Sequence, residues 1–473
     1  MRTGKERKAA VMREKYRIMV ICVGFICLIV LLSFKNTQAV PSFKGQTGLS
    51  CNVCHTVFPE LTPFGRTFKL NGYTLSTSQK PYETKLPISA MIQASYTEQK
   101  GLSNRIDPYD DAPDAKFALP QQASLFYGGR IYDRLGALVQ LSYDGIGNDL
   151  FLDNTDIRFA DNFKLAGKDL TWGLTLNNNP TVQDVWNSTP AFGYPYASPS
   201  SGIVVNPSTT YAVATPLIRT LIDGSLGQQV GGLGAYAMWD SMIYGEIAAY
   251  RSNNKGITRP LGAGATTSIL LDGYAPYWRL AVQYQTGPNS IAVGTYGMIT
   301  NVFPNDQYGN PITAGPSDKY TDVAIDAQYQ YITNKNIFTA TTTWIHEKQD
   351  WDASFPLGIT ANSSDHLNTF KLSGSYYYRS AYGTFGGTVA YLRTYGDADQ
   401  ELYAPGPIYG SATHNPDTEA SIFELNYTYQ DQYKFALQYT AYDKFNGGST
   451  NYDGSGRDAS DNDTLYLLAW LMF

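Results

Sequence analysis

The sequence predicts an all-β fold, a sixteen-stranded antiparallel transmembrane barrel, on three observations. From about Leu86 to Phe473, apolar and polar side chains alternate with period two. Short turns alternate with longer loops, most of them rich in Gly, Pro, Asn and Asp. After Phe34 no apolar stretch reaches the length of a transmembrane helix, which excludes a helical membrane protein for the mature chain. The 37 tyrosines and 43 glycines in 473 residues, with only 16% charged residues, do not describe an ordinary soluble enzyme. A sheet that crosses lipid must close on itself, because every backbone donor and acceptor there needs a partner.

Residues 1–39 read as a signal peptide. Arg2, Lys5, Arg7, Lys8, Arg13, Lys15 and Arg17 form a basic region, Ile18 to Phe34 is an apolar run, and Thr37-Gln38-Ala39 is a cleavage site with a small last residue. The alternative is an uncleaved anchor, for which the run is at the short edge of a bilayer span. Cleavage takes eight of the 35 basic and two of the 41 acidic residues with it, and the mature chain carries a formal charge of −12. Such a surface argues against nucleic acid and favours cations.

Cleavage also removes Cys22 and Cys27 and leaves Cys51 and Cys54, within Cys51-Asn52-Val53-Cys54-His55. C-x-x-C-H is the attachment site of a c-type haem, with two thioether bonds and the histidine as iron ligand. A structural zinc site needs four ligands, and no second cysteine pair supplies them. A thioredoxin-like centre needs a βαβ context that the flanks do not offer. A local disulfide is the remaining alternative. Residues 40–85, between signal peptide and barrel, are too few to bury much of a core alone. One covalent haem c is expected to be part of that core, and the barrel lumen or its periplasmic mouth its home.

Residues 86–473 contain the strands. They are expected to begin near Leu86, Gln121, Arg134, Leu152, Lys168, Ser225, Ser241, Ala275, Asn289, Lys319, Asn336, His366, Tyr382, Ser421, Tyr433 and Asp463. Short turns fall at Tyr132-Asp133-Arg134, Trp239-Asp240-Ser241, Gly287-Pro288-Asn289, Thr333-Asn334-Lys335, Ala381-Tyr382-Gly383 and Gln430-Asp431-Gln432. Short periplasmic turns, longer outside loops and an even strand number put both barrel ends in the periplasm. A soluble sandwich or propeller is the alternative, and no blade-length repeat is visible. In the last strand Leu465, Leu467, Ala469, Leu471 and Phe473 share one face.

The haem iron needs a second axial ligand or an open site. His55 is the proximal ligand by motif. On the first strand Ile88, Ala90, Ile92, Ala94 and Tyr96 form the apolar face, and Ser89, Met91, Gln93 and Ser95 the other. Met91 is thus an apolar residue on a lumen-facing polar row, and the favoured distal ligand; otherwise it is a packing residue. A thioether ligand would raise the potential. Met238, Met242 and Met298 are further methionine candidates. His346 shares a face with Phe338, Ala340, Thr342 and Trp344, which reads as lipid-facing; His366 and His414 read as loop or strand-end residues.

Pro41-Ser42-Phe43, Gln46-Thr47-Gly48, the run Cys51 to Arg66 and Phe68-Lys69-Leu70-Asn71-Gly72-Tyr73 resemble the fused outer-membrane cytochrome–porins of iron-oxidising bacteria. Asn178 to Asn187 is similar to a loop segment of that family, and a chain ending in a strand on a terminal Phe looks like an outer-membrane barrel. The resemblance implies one c-type haem, a barrel of about this strand number and oxidation of extracellular Fe(II). The electron would pass to a periplasmic carrier such as a soluble cytochrome, which makes the protein an iron(II) oxidase-type electron carrier in contact with outer-membrane lipid.

The alternatives are electron uptake from another extracellular donor, or a passive porin with a structural haem. Aspartates 107, 110, 111 and 114, and 453, 458, 461 and 463, cluster in two loops. They offer hard oxygen ligands to a cation, or simply form solvated or lipopolysaccharide-facing loops.

Overall fold

The computed structural model describes residues 42–75, 87–99, 115–198, 219–252, 269–306 and 308–473. The expected signal peptide and the cluster Asp107 to Asp114 lie outside the described residues.

The described strands close into one antiparallel barrel, each next to its neighbour in sequence. They are β1 (Ile88–Gln99), β2 (Ala115–Tyr132), β3 (Leu135–Asp144), β4 (Asp149–Leu165), β5 (Lys168–Asn177), β6 (Val230–Trp239), β7 (Ile243–Ser252) and β8 (Ala275–Thr286). Then follow β9 (Asn289–Val302), β10 (Asp318–Ile332), β11 (Asn336–Asp350), β12 (Ser364–Ser380), β13 (Gly383–Gly396), β14 (Thr418–Tyr429), β15 (Tyr433–Lys444) and β16 (Thr464–Met472). The wall is sealed between β1 and β16, with Met91 opposite Met472 and Gln99 opposite Thr464. Phe473 extends that ladder: its N–H donates to the Ala90 carbonyl at 2.9 Å, and the Ala90 N–H donates back at 2.6 Å.

Strand starts agree with the sequence reading except at two places. β2 begins at Ala115 rather than near Gln121, because a register shift between Gln93 and Ser95 of β1 lets the strand run through Pro120, which has no N–H to give. β6 begins at Val230 rather than near Ser225. Leu221, Ile222 and Leu226 instead pack into an internal cluster with Val230, Tyr250 and Tyr277. The turn at Ala166-Gly167 is a further short one, built on two positive-φ residues.

Burial alternates along the strands as the sequence requires. On β12, Leu367, Thr369, Ser375 and Tyr377 face inward and are buried, whereas Leu372, Tyr376 and Tyr378 are exposed on the outside. Leu233, Ile247, Leu280, Val293, Ile325 and Leu425 continue an apolar outer belt. Tyr329, Tyr331, Phe338, Tyr376, Tyr378 and Phe385 ring that belt near the short turns, the place of an interfacial aromatic girdle. No helix among the described residues is long and apolar enough to cross a membrane. A closed barrel with an apolar exterior is a protein of the bacterial outer membrane.

The inward rows are polar and buried because chain fills the lumen. Residues Thr181 to Thr189, in the loop after β5, are all buried. Arg279 of β8 forms a two-pronged pair with Asp326 of β10 at 2.9 and 2.7 Å and lies 3.3 Å from Asp184 of that loop. Arg158 pairs with Asp156 at 2.7 Å. Losing one member of such a pair leaves a buried charge uncompensated, at roughly 3–5 kcal/mol.

Both ends of the barrel lie at the short-turn end, so this arrangement predicts that the long loops face outward from the cell. In intact cells a membrane-impermeant maleimide should label Asp352→Cys, exposed in the β11–β12 loop, and spare Asp133→Cys in the β2–β3 turn. The opposite labelling would invert the topology.

Candidate functional site

The segment before the barrel forms three short helices, α1 (Ser42–Thr47), α2 (Cys51–Cys54) and α3 (Pro63–Leu70). Thr62 organises the last two. Its hydroxyl accepts from the Gly65 N–H at 3.1 Å, capping α3 ahead of Pro63, and donates to the Val53 carbonyl at 2.6 Å. Its own N–H donates to the Cys54 carbonyl at 2.9 Å. The absence of a side chain at Gly65 brings α3 onto α2: a Cβ there would stand 2.1 Å from the Cys54 carbonyl oxygen.

Side chains of α3 and the preceding turn fix this unit to wall and loop. Arg66 donates to Gln330 at 2.7 Å, Gln328 at 3.1 Å and Ser290 at 2.6 Å. Lys69 donates to the carbonyls of Val182 and Asp184 at 2.6 and 2.8 Å. Buried Glu60 accepts from Gln330 at 3.2 Å and from Tyr196 at 3.4 Å. Burial pushes its carboxyl above the ordinary value, and the neighbouring Thr339 and Gln330 side chains oppose the rise. Arg379 of β12 donates to the carbonyls of His55 and Thr56 at 3.2 and 3.3 Å.

Cys51, Cys54, His55 and Met91 line one cavity of about 370 Å³. Its apolar wall includes Phe43, Phe58, Phe126, Leu138, Trp470 and Met472. The cavity reaches the short-turn end at Asp431 and Phe473, and Gln122, Gln140 and Asp153 on the β2–β4 side. Met91 is buried on the inward row of β1, as the alternation required. The Trp470 indole N–H points at its sulfur, 3.1 Å away. Aromatic contacts connect the two ends of the site: His55 to Phe58 at 5.3 Å, and Phe58 to Trp470 at 5.3 Å.

Cys51 and Cys54 are not joined to each other. Burial pushes both thiols up, Cys54 to about 11, where the neighbouring Cys51 adds to the rise. Neither is a thiolate at neutral pH, unlike the attacking thiol of a redox-active C-x-x-C. Burial lowers His55 to about 4, against the raising effect of the Pro59 and Glu60 backbone, so its imidazole is neutral.

The other candidates lie elsewhere. His346 is on the outer face, its Nδ1 2.9 Å from Asn368 and its ring stacked on His366 at 5.5 Å. His366 approaches Asp397 at 3.0 Å, and His414 sits in the β13–β14 loop. Met238 and Met298 belong to other internal clusters, and Met242 is exposed. Met472 was not among the expected ligands, yet it faces Met91 across the seam and lines the same cavity. Its signal was in the sequence, on the row Thr464, Tyr466, Leu468, Trp470, Met472 opposite the outward Leu row.

Aspartates of the last loop are engaged by protein donors of that loop and its neighbours. Asp453 accepts from the N–H groups of Ile408 and Ser455 at 2.8 and 2.7 Å. Asp458 and Asp461 form a capping box, and Asp463 accepts from Tyr439 and the Tyr442 N–H. Among the described residues no group of three or more His, Cys, Asp or Glu is arranged to hold a metal ion.

No protein-family model and no curated protein matches the chain. Its structure is similar to solved outer-membrane proteins at low identity. OprB of Pseudomonas putida gives 12% identity over 82% of this chain and 94% of that one, with a TM-score of 0.45. The outer-membrane channel DcaP of Acinetobacter baumannii gives 10% over 82% and 96%, at 0.44. OmpT of Vibrio cholerae gives 9% over 83% and 100%, at 0.43.

The close approach at Gly65 generates a stability prediction. Gly65→Ala forces α2 and α3 apart and should cost about 1–3 kcal/mol in denaturant unfolding. Gly374→Ala on β12, where a Cβ meets nothing within 4 Å, should leave stability unchanged. Equal effects of the two substitutions would remove the packing role given to Gly65.

Proposed function

We propose that residues 40–85 carry one covalent haem c, and that the protein oxidises extracellular Fe(II) and passes the electron to a periplasmic carrier such as a soluble cytochrome. The observation that carries this reading is the convergence of Cys51, Cys54, His55 and Met91 on one largely apolar cavity. Two thiols, a neutral imidazole and a thioether are the donor set that a tethered haem requires.

Each residue has a defined task in this reading. Cys51 and Cys54 would hold the haem through thioethers to its two vinyl groups. His55 would supply a neutral ring nitrogen to the iron, with its backbone held by Arg379. Met91 would supply a thioether sulfur to the iron, and the Trp470 indole N–H points at that sulfur. Phe43, Phe58, Phe126 and Leu138 exclude water. When bound, the haem supplies a one-electron couple, matched to a one-electron donor. Ferric iron precipitates near neutral pH, so oxidation outside the cell keeps the product out of it.

Changing both Cys51 and Cys54 to Ala should abolish haem staining of the denatured protein. Purified wild type mixed with Fe(II) under argon should show the reduced haem spectrum. Covalent haem that stays oxidised under excess Fe(II) would leave exchange with another extracellular donor. High solute conductance of the reconstituted protein would favour a passive porin.

The ligand assignment is tested separately. Met91→Ala should remove thioether ligation from the spectrum and lower the potential, because the soft ligand that favours reduced iron is lost. Met472→Ala should leave both unchanged. The reverse result would transfer the role to Met472.

A further inference from the structure

A second polar site lies in the lumen wall, away from the cavity. Asp322 of β10 is directly opposite Glu347 of β11, and both face inward, 2% and 0% exposed. Like charges directly opposite on neighbouring strands destabilise a sheet, with Cβ atoms only about 5 Å apart. The charged groups acting on Asp322 are Glu347 and Asp223, both carboxylates. The nearby ammonium of Lys371 is engaged by Asp223. Among the described residues no cation is thus committed to the pair.

The surrounding atoms are short of donors. Glu347 accepts from the Leu221 N–H and from the Gln349 amide. Neither oxygen of Asp322 has a well-formed hydrogen bond, although Glu347 and the Ile222 backbone face it. The Gln349 carbonyl oxygen and the Thr300 hydroxyl are also buried without a partner. Register puts Thr300 on β9 and Gln349 on β11, one strand to either side of Asp322. Thr300 and Gln349 flank Tyr320, one inward step from Asp322 toward the long loops. The group therefore presents two carboxylates, an amide carbonyl and a hydroxyl, all oxygen acceptors. Leaving such atoms unmatched in a buried site is costly.

We propose that Asp322, Glu347, Thr300 and Gln349 bind one hard divalent cation of the Mg²⁺, Ca²⁺ or Mn²⁺ class. Oxygen donors of this kind, with two carboxylates to balance the charge, are what such ions select. The cation removes the repulsion between the pair. Because Glu347 also holds the Leu221 N–H, it fastens the inward loop to the wall. The site is independent of the haem reading, and its test does not use haem.

Full-length protein in detergent, stripped with chelator, is titrated with Mn²⁺ while EPR follows the free ion. Wild type should bind one Mn²⁺ that Asp322→Asn and Glu347→Gln lose, and the ion should raise the wild-type unfolding temperature alone. Thr300→Val removes only a neutral ligand. It should weaken binding about tenfold in a barrel that still shows folded gel mobility, which keeps the test decisive if the charge variants fail to fold. Absence of Mn²⁺ binding by wild type would overturn the proposal, as would binding unchanged in Asp322→Asn or Thr300→Val. An infrared carboxylic-acid band lost in Asp322→Asn, without Mn²⁺ binding by wild type, would show that a shared proton occupies the pair instead.

Discussion

Backbone hydrogen bonding in lipid is the constraint from which the rest of this structure follows. A sheet in hydrocarbon has no water to satisfy an open edge, so β1 and β16 must meet, and Phe473 is used to the last residue to seal them. Closure commits one face of every strand to lipid and the other to a lumen. The inward rows are then free to be polar, and here they carry arginines and carboxylates that are buried rather than bathed in water. Buried charges need partners. The loop after β5 supplies one in Asp184, beside Arg279. The segment before the barrel supplies Arg66 and Lys69, whose donors find acceptors on the wall and in that loop.

Filling the lumen this way also positions the site. A segment of some 46 residues has little core of its own, and a side chain on it can be held accurately only by a rigid support. Here the wall provides that support on two sides of His55. Arg379 grips the His55 and Thr56 carbonyls, and Gln330 donates to both Glu60 and the Leu61 carbonyl. The Thr62 cap and the bare backbone at Gly65 then transmit this position to Cys51–Cys54. The candidate site is therefore composite, with Cys51, Cys54 and His55 on the short segment, Met91 on β1, and its rigidity in the barrel.

Much of this was legible in the sequence. Period two gave the faces, so Met91 was recognised as inward before any contact was known, and the starts at Lys168, Ala275, Asn289, Asn336 and Tyr433 coincide with observed ones. What failed was local chemistry overridden by tertiary structure. The starts expected near Gln121 and Ser225 missed a strand that runs through Pro120 and an inward cluster of Leu221, Ile222 and Leu226. Met472 escaped because the outward Leu row of β16 dominates the pattern. Glu60 and Arg379 were not legible, since their contacts join residues 270 and 324 positions apart. The pairing of Asp322 with Glu347 depends on strand register, which alternation alone does not specify.

The two sites also divide the lumen. Along β10, Gln330 touches the turn beside His55, while Asp322 lies eight residues nearer the long loops, about 26 Å away along the strand. The cation proposed at Asp322 would thus lie well away from the turn beside His55, where its role would be to brace the wall. The cavity follows a different side. It extends from Asp431 and Phe473 at the short-turn end to Asp153, four residues into β4 from its outer end. Asp153 is held there by Ser142, Gln122 and Gln228. The cavity lining is apolar around Phe58, Phe126 and Trp470, and polar both at the short-turn mouth, with Asp431 and Lys434, and near the outer loops, with Gln122 and Asp153. In the proposed electron transfer the outer-loop end on the β2–β4 side would face the extracellular donor and the short-turn mouth the periplasmic acceptor, so that one haem in the cavity would lie between the two compartments.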